Sequence, residues 1–434
     1  MMSNEELFDG FSSYIEASPT AFHAVECVKQ TLEAAGSIEL KENEKWTLER
    51  GKSYFVIRND SALIAFEIPK GDGETGGYRI AAVHSDSPCF RIKHSPEIRT
   101  DKYVKLNTEP YGGLIAYGWF DRPLSVAGRI IYSRDGQLCS KLVSIDKDLL
   151  VIPSLAIHMS RQVNDGIKID MQKDMLPLLS CDEKVELMEL VAQSAGVDVK
   201  EIVDADLCVC VREKVRTAGA KDEFILAPRI DDLMCVYGCL QGYLRAMDSN
   251  AASMNQNAAS RNVLAIFDNE EVGSSTNQGA DSDFLRSTLE RISLALGENA
   301  ETYRMLLAGS FMVSADNAHA SHPNYPEKEN PGESPVINGG VVIKHAANQK
   351  YCTDAMSSAF FTQVCQRAGV PVQHFYNRSG QPGGSTLGNI STSQVSVRGL
   401  DIGMAQLAMH APVELAGAKD IEYLVRAMCE YFRG

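Results

Sequence analysis

Beyond Phe224 the chain alternates between short apolar runs and longer stretches with apolar residues at helical spacing. The apolar runs, which predict buried strands, are 262–267, 310–314 and 394–398. The stretches at helical spacing, which predict amphipathic helices, are 232–247, 283–296, 354–368 and 418–432. Buried strands between amphipathic helices are typical of an α/β fold, here a layered α/β/α domain in which helices cover both faces of a largely parallel sheet.

The first part of the chain predicts two helices, separated at Ser18-Pro-Thr20, and then three short strands at 54–58, 62–68 and 78–83. From about residue 94 to 221, short runs are broken by turn signals such as Arg134-Asp-Gly-Gln137, and a single helix is predicted at 183–194. We therefore expect residues 1–93 and 222–434 to form one α/β domain, into which residues 94–221 are inserted as a β-rich second domain.

Composition narrows the class of protein. A chain of 434 residues exceeds the size at which one core usually stops growing, in agreement with two domains. Its 42 basic and 57 acidic residues give a net charge of −15, which argues against a nucleic-acid partner. No segment resembles a signal peptide or approaches the ~20 apolar residues of a membrane helix. The 11 cysteines include no CxxC pair, as is usual for reduced thiols. We expect a cytoplasmic protein that binds neither nucleic acid nor membrane.

Side chains that can bind a metal follow several of the apolar runs. They are His84, the adjacent pair Asp231 and Asp232, the cluster of Asp268, Glu270 and Glu271, then Asp316 and His410. In open α/β sheets, ligands bind beyond the carboxyl ends of the strands, so we expect these side chains to meet at one edge of the sheet.

Imidazole and carboxylate groups suit zinc or a similar divalent metal without any thiolate. One ligand from each of these five positions, two histidines and three carboxylates, gives five ligands, which are too many for one catalytic zinc ion that usually keeps three protein ligands and a water. They suit two ions if one carboxylate bridges them, because each ion then keeps an open position for water or substrate. Paired ions of this kind share a hydroxide and polarise a carbonyl group, as in aminopeptidases and phosphatases. The sequence therefore predicts a dinuclear hydrolytic site.

The adjacent residues Glu270 and Glu271 can face one site only where the chain turns, because neighbouring strand residues point to opposite faces. One carboxylate could then bind metal while the other takes a proton from the attacking water. The alternative is a solvated acidic turn, which the apolar run 263–267 disfavours. Asp86, two residues after His84, can orient that imidazole; the alternative for His84 is a core histidine.

His319 and His322 are an alternative pair of metal ligands, since they lie three residues apart near Asp316. Pro323 and Asn324 would keep a helix there short, which disfavours this pair.

Five segments that contain these residues resemble the motifs of the M18 metalloaminopeptidases, the aspartyl aminopeptidase family. They are His84-Ser-Asp-Ser-Pro88, Pro228-Arg-Ile-Asp231, Asp268-Asn-Glu-Glu-Val-Gly273, Ser314-Ala-Asp-Asn-Ala-His319 and Gln406-Leu-Ala-Met-His410. The resemblance runs in order through nearly the whole chain. It implies an α/β proteolytic domain with an inserted β-rich domain used in subunit contacts, and two zinc ions, which Co²⁺ or Mn²⁺ can replace. It also implies self-association into a homo-dodecamer built from dimers.

The resemblance also implies how the metal ligands are shared between the two ions. Asp231 would bridge them, His84 and Asp316 would complete one metal site, and Glu271 and His410 would complete the other.

The same resemblance implies further roles. Glu270 would be the general base and Asp86 the carboxylate behind the imidazole. His158 would reach the reacting carbonyl of a neighbouring subunit. Lys344 and Tyr351 match positions that face the substrate.

The resulting hypothesis is a dinuclear zinc aminopeptidase in which Glu270 deprotonates a metal-bridging water. It would release N-terminal residues, acidic Asp or Glu or else neutral ones, from peptides. Two alternatives remain at this point: another zinc hydrolase with paired ions, such as a carboxypeptidase, dipeptidase or deacylase, and a non-catalytic shell-forming scaffold or cargo protein.

Overall fold

The computed structural model describes residues 4–71, 76–252, 260–381, 383–384 and 386–434. Within these ranges the helices are α1 (Asn4–Ala17), α2 (Ala21–Ala34), α3 (Leu187–Ala195), α4 (Ile230–Ala252), α5 (Phe284–Ala295), α6 (Ala300–Ala308), α7 (Ala355–Ala368), α8 (Leu387–Gln394) and α9 (Asp420–Arg433). The strands are β1 (Ile38–Leu40), β2 (Ser53–Arg58), β3 (Ala62–Glu67), β4 (Gly77–His84), β5 (Cys89–Arg99), β6 (Val104–Tyr111), β7 (Leu124–Arg134), β8 (Gln137–Ser144), β9 (Leu178–Ser180), β10 (Ile202–Val211), β11 (Arg216–Ala218), β12 (Phe224–Ala227), β13 (Ser260–Phe267), β14 (Phe311–Ala315), β15 (Ala318–His319), β16 (Val341–His345), β17 (Val372–Tyr376), β18 (Arg398–Gly403), β19 (Ala405–Leu407) and β20 (Glu414–Gly417).

The largest sheet has nine strands in the order β1-β2-β3-β13-β4-β14-β18-β16-β17. Its central strands β13, β4, β14 and β18 are parallel to one another. The N-terminal strands join this sheet as predicted, because β3 pairs antiparallel with β13. The parallel centre places the carboxyl ends of four strands along one edge.

Alternate residues of the central strands face two hydrophobic cores. On β4, Ala81 and Val83 face the core that α1, α2, α4, α7 and α9 cover. Ile80 and Ala82 face the opposite core, which includes residues of α5, α6 and α8. This two-faced burial confirms the predicted α/β/α layers. Within the described residues, no helix combines the length and apolarity needed to cross a bilayer.

A second sheet of six strands, in the order β8-β7-β10-β5-β6-β9, is antiparallel throughout. Together with α3 it encloses a separate core that contains Phe90, Val126, Leu187 and Val209. The sheet begins at Cys89 and its last strand ends at Val211. The predicted division of the chain at residues 94 and 222 stays a prediction. A third sheet, in the order β11-β12-β20-β19-β15, lies outside both.

The strand predicted at 394–398 is wrong. Helix α8 ends at Gln394, and the strand of the central sheet begins only at Arg398. The actual strand β18 was hidden because Gly399, Asp401 and Gly403 interrupt its apolar pattern. Asp401 is nevertheless fully buried, since it accepts hydrogen bonds from the Thr386 hydroxyl and the Cys352 backbone N–H.

Candidate metal centre

Three neighbouring parallel strands bring four of the candidate residues to one edge of the nine-stranded sheet. His84 is the last residue of β4 and lies opposite Phe267, the last residue of β13. Glu270 and Glu271 come after β13 in a short 3-10 helix, Glu270–Val272. Asp316 comes directly after β14, which pairs with β4 on its other side. The parallel register therefore sets these groups side by side.

Asp231 and His410 reach the same edge from loops. Asp231 lies at the start of α4 with non-helical backbone angles. His410 has a φ of 67°, a left-handed conformation that non-glycine residues rarely adopt. Both are held by Glu414, which accepts the Asp231 N–H at 3.0 Å and the His410 N–H at 2.6 Å. One buried carboxylate thus fixes two distant segments relative to each other.

Ligand atoms of these residues lie within 4.8 Å of one another in three overlapping groups. The groups are His84, Asp231, Asp232 and Asp316; His84, Glu270 and Glu271; and Asp231, Glu271 and His410. Asp231 faces a different imidazole with each oxygen, because its Oδ1 lies 3.5 Å from His84 Nε2 and its Oδ2 lies 3.5 Å from His410 Nε2. Glu271 Oε1 lies 3.4 Å from His410 Nε2.

Three carboxylate oxygens in these groups are buried and accept no hydrogen bond from the described residues, although two of them lie 3.4–3.5 Å from an imidazole nitrogen. They are Asp231 Oδ1, Asp232 Oδ1 and Glu271 Oε1. An unpartnered buried anion is costly, and a bound cation removes the cost. The mixed imidazole and carboxylate donors fit zinc, which accepts both ligand types. The residues present therefore fit the predicted metal.

The electrostatic field of the acidic side chains in the cluster stabilises the protonated forms of its titratable groups. Burial lowers the pKa of His410, but its bond to Asp231 and the charge of Glu271 outweigh burial and raise that pKa to about 10. Burial likewise opposes protonation of His84, yet Asp231 and Asp86 raise its pKa well above the usual value. Burial raises the pKa of Glu270 to about 8, assisted by Asp316 and Asp86 and opposed by His84.

Asp86 lies behind His84 and organises the turn that holds the two glutamates. Its Oδ1 lies 3.3 Å from His84 Nδ1. It also accepts the backbone N–H groups of Glu270 and Glu271, each at 3.1 Å. The hydroxyl of Tyr111, from strand β6 of the six-stranded sheet, donates to Asp86 Oδ2 at 2.7 Å. Through Asp86, the position of Tyr111 therefore affects the orientation of the His84 imidazole and of the turn that carries the two glutamates.

The second imidazole is also oriented from the six-stranded sheet. His410 Nδ1 lies 2.8 Å from the carbonyl oxygen of Gly113, and the Ile115 N–H donates to the carbonyl oxygen of His410. Sequence reasoning missed Tyr111, Gly113 and Glu414, and no local signal marks them. Asp232, the second residue of the acidic pair, was not assigned as a ligand, yet it belongs to the first group.

The two candidate substrate residues lie beside this cluster. Lys344 is buried on β16, and its Nζ is 3.4 Å from Asp316 Oδ2 and 3.1 Å from the carbonyl oxygen of Asn317. The Lys344 ammonium also lies 5.4 Å from the centre of the Tyr351 ring. Burial opposes the charge of Lys344, but Asp316 and its neighbours outweigh burial and raise its pKa. Lys344 is therefore a buried cation next to a candidate metal ligand.

The structure does not bring His158 into the cluster. It lies on an exposed segment after β8 and belongs to none of the three groups found in the described residues. The alternative ligands His319 and His322 are absent from these groups as well. His322 instead packs against Tyr325 and accepts the Asn324 N–H.

Comparisons with known proteins agree with this geometry. Residues 14–432 match the family model of the aminopeptidase I zinc metalloproteases (M18). A protein of Clostridium novyi (strain NT) named probable M18 family aminopeptidase 2 is 45% identical over 427 residues, which cover 96% of each chain.

Superposition on solved structures agrees with these sequence matches. A chain in the cryo-EM structure of the Ape4 and Nbr1 complex superposes with a TM-score of 0.95 at 35% identity, covering 99% of this chain and 86% of that one. The S. cerevisiae mApe1 dodecamer gives a TM-score of 0.85 at 28% identity, covering 98% of this chain and 96% of that one. Family, relatives and fold agree over almost the full length, and we conclude that the chain belongs to the M18 family of zinc metalloproteases and is a metalloaminopeptidase.

Proposed function

We propose that this chain is a dinuclear zinc aminopeptidase that removes N-terminal residues from peptides. The observation that carries the proposal is the placement of Asp231, whose two oxygens each face a different imidazole. A carboxylate that bridges two metal sites needs this arrangement. In the proposed assignment Asp231 is shared, His84 and Asp316 complete one set, and Glu271 and His410 complete the other.

When bound, the two zinc ions would polarise the scissile carbonyl and acidify the attacking water. Glu270 takes the proton from that water and passes it to the departing amine. Its position suits both transfers, because Glu270 shares a group with His84 and Glu271 whose ligand atoms lie within 4.8 Å of one another. Asp86 holds the Glu270 backbone in place through the N–H contact at 3.1 Å.

The proposed specificity is for acidic N-terminal residues, Asp or Glu. Lys344 is a buried cation beside Asp316, and Tyr351 packs against it. A cation held in a buried site attracts a carboxylate more strongly than it would in water. A neutral N-terminal residue is the alternative, because the contact with Asp316 already satisfies part of the charge of Lys344.

We also propose a homo-oligomer, a dodecamer built from dimers, like the S. cerevisiae mApe1 structure described as a dodecamer. His158 supports this, because it lies exposed between Leu155, Ile157 and Met159, whose side chains are 58%, 48% and 74% exposed. A second copy would cover these apolar groups and receive His158 beside its own reacting carbonyl. An Asp231→Asn chain mixed with a His158→Ala chain should then regain some activity that neither homo-oligomer shows. If the mixed oligomer regains no activity, His158 does not act at the site of a neighbouring subunit.

The main test measures hydrolysis of Asp, Glu, Leu and Met reporter substrates, each with a free and an acetylated amino group, together with zinc content. We expect cleavage of free-amino substrates only, with Asp and Glu preferred, and about two zinc ions per chain.

Glu270→Gln should retain zinc while kcat falls by about 10²–10⁴-fold, the usual contribution of a general base. Glu290→Gln, on the exposed face of α5, serves as the matched control and should leave kcat unchanged. Cleavage of acetylated substrates, or a near-normal rate for Glu270→Gln, would contradict the proposal.

A further inference from the structure

Asp401 is a fully buried carboxylate on the strand next to Lys344. In the antiparallel pair formed by β16 and β18, Asp401 lies directly opposite Lys344. Opposite residues of such a pair project from the same face of the sheet, and here the other face carries the core residues Ile343 and Leu400. Asp401 belongs to none of the three ligand groups found among the described residues, so the metal centre does not account for it.

Asp401 holds the segment that follows Tyr351. The Cys352 N–H donates to Asp401 Oδ2 at 2.6 Å, and the Asp401 N–H donates to the Thr353 hydroxyl oxygen at 2.9 Å. Tyr351 itself is 5% exposed, and the Lys344 ammonium lies 5.4 Å from the centre of its ring. One residue therefore lies opposite Lys344 on the neighbouring strand and also binds the two residues after Tyr351.

The other oxygen of Asp401 is held from the start of α8. The Thr386 hydroxyl donates to Asp401 Oδ1 at 2.5 Å. The carboxylate comes so close to Gly388 that a Cβ atom at residue 388 would lie 2.2 Å from Oδ1. Because each oxygen has its own donor, the carboxylate cannot rotate without leaving a buried polar group unsatisfied, which is unfavourable.

We propose that Asp401 is a positioning residue for recognition of the substrate side chain: it holds Tyr351 in place relative to Lys344, and Thr386 holds Asp401. This inference rests on the proposed function, in which Lys344 and Tyr351 face the N-terminal residue of the substrate. Contacts to that side chain act equally on bound substrate and transition state, so their loss raises KM and leaves kcat nearly unchanged. A residue that only stabilises the fold would instead lower the fraction of active enzyme, which reduces the apparent kcat at constant KM.

Two substitutions of Asp401 separate its position from its charge. An asparagine amide can accept the Cys352 N–H through its oxygen and donate to the Thr386 hydroxyl through its nitrogen, so Asp401→Asn removes the charge but keeps both bonds. Asp401→Ala removes both bonds. The KM for Asp reporter substrates should rise about tenfold or more in Asp401→Ala and stay within about threefold of the wild type in Asp401→Asn. Equal increases in the two variants would show that the charge matters rather than the position, and would overturn the proposal.

Thr386 gives a test that leaves Asp401 itself intact. Thr386→Val keeps the shape of the side chain without its hydroxyl and should raise the KM for Asp substrates about three- to tenfold, with kcat and zinc content unchanged. Thr386→Ser keeps the hydroxyl and should retain most of the wild-type affinity. Thr386 also caps α8, so the matched control is Asn299→Ala, which removes the exposed cap of α6 and should lower the Tm without changing KM.

The results separate this inference from the proposed function. An unchanged KM in both Asp401→Ala and Thr386→Val, beside a wild type that prefers Asp over Leu, would overturn the inference alone. A wild type without that preference would overturn the proposed specificity instead. Crystal structures then decide the role of Asp401, because the Tyr351 ring should move relative to Lys344 in Thr386→Val and stay in place in Thr386→Ser. An unmoved ring in Thr386→Val would overturn the inference, also where Asp401→Ala fails to fold.

Discussion

Buried carboxylates distinguish the two large sheets. Eight carboxylates are buried in the described part of the chain: Asp86, Asp231, Asp232, Asp268, Asp316, Asp401, Glu414 and Asp420. None of them lies between Cys89 and Val211, the limits of the six-stranded sheet. That sheet buries an ordinary apolar core, whereas Asp86, Asp268 and Asp316 come just after the carboxyl ends of β4, β13 and β14 in the nine-stranded sheet.

The two sheets contribute differently to the metal centre: one side provides the ligands, and the other provides groups that orient them. All proposed ligands come from outside the six-stranded sheet, yet Tyr111 of that sheet donates to Asp86, the residue beside His84 Nδ1, and the carbonyl oxygen of Gly113, two residues after β6, lies 2.8 Å from His410 Nδ1. Parallel strand ends can gather ligands, because they meet at one edge. An antiparallel sheet packed against that edge can hold the ligands in one orientation.

The largest effect is expected from removing the shared ligand on the nine-stranded side. Asp231→Asn loses a negative charge between the two imidazoles, so zinc content and kcat/KM should fall together, kcat/KM by roughly 10³-fold or more. Metal analysis and kinetics on one sample would measure this. Asp204→Asn, on exposed β10 of the other sheet, should change neither quantity. Full zinc occupancy in Asp231→Asn would show that this residue is not shared.

A matched pair of core truncations separates stability from activity. Leu187→Ala in α3 and Leu264→Ala in β13 each remove a fully buried side chain and should cost about 2–5 kcal/mol of unfolding free energy. Only Leu264→Ala should also lower kcat, because β13 leads directly into Glu270 and Glu271. Denaturant unfolding and kinetics would measure both. Equal losses of activity would mean that the two cores act on the site alike.

Removing one hydroxyl tests the contribution of the six-stranded sheet. Tyr111→Phe leaves the ring in place but removes the donor to Asp86, so zinc affinity or kcat should fall by about 10–100-fold. Chelator competition and separate kcat and KM values would show whether the effect lies in metal binding or in turnover. Tyr132→Phe on β7 of the same sheet is the control. A rate and a zinc affinity both within about twofold of the wild type would show that Tyr111 contributes packing alone.

The smallest expected effect is on the pH dependence of the unfolding free energy. Burial raises the pKa of Asp420 to about 7, opposed by bonds from the Asn338 and Gly340 N–H groups. The folded state therefore holds this proton more tightly than the unfolded state, whose carboxyl titrates near pH ~4. The contribution of Asp420 to stability is present below pH ~4 and is lost as pH rises to about 7, with a slope of at most ~1.4 kcal/mol per pH unit.

The variant Asp420→Asn removes this titration. Its unfolding free energy relative to the wild type should increase as pH rises from 5 to 7 and then stay constant. Urea unfolding at pH 5, 6, 7 and 8 would measure the difference. Asp146→Asn, whose side chain is 93% exposed, should show no such trend. A constant difference for Asp420→Asn at all four values would contradict the assignment.

The sequence was sufficient to predict that His84, Glu270, Glu271 and Asp316 lie at one edge, because they follow apolar runs that form neighbouring strands of the parallel centre. Asp231 and His410 were expected at the same edge for the same reason, but they reach it from loops beside strands of the third sheet. The order of motifs also predicted the family correctly. The strand at 394–398 was misplaced, because a strand with glycines and a buried aspartate shows no apolar run.

Only the tertiary structure could reveal the contacts that orient these ligands. Tyr111 of the six-stranded sheet reaches Asp86, and Gly113, two residues after β6, reaches His410. Such contacts depend on how two sheets pack, and packing leaves no periodic mark in the sequence around either partner. Local patterns determine where a strand ends and which residues come directly after it, whereas the relative placement of two sheets determines which distant donor meets each acceptor.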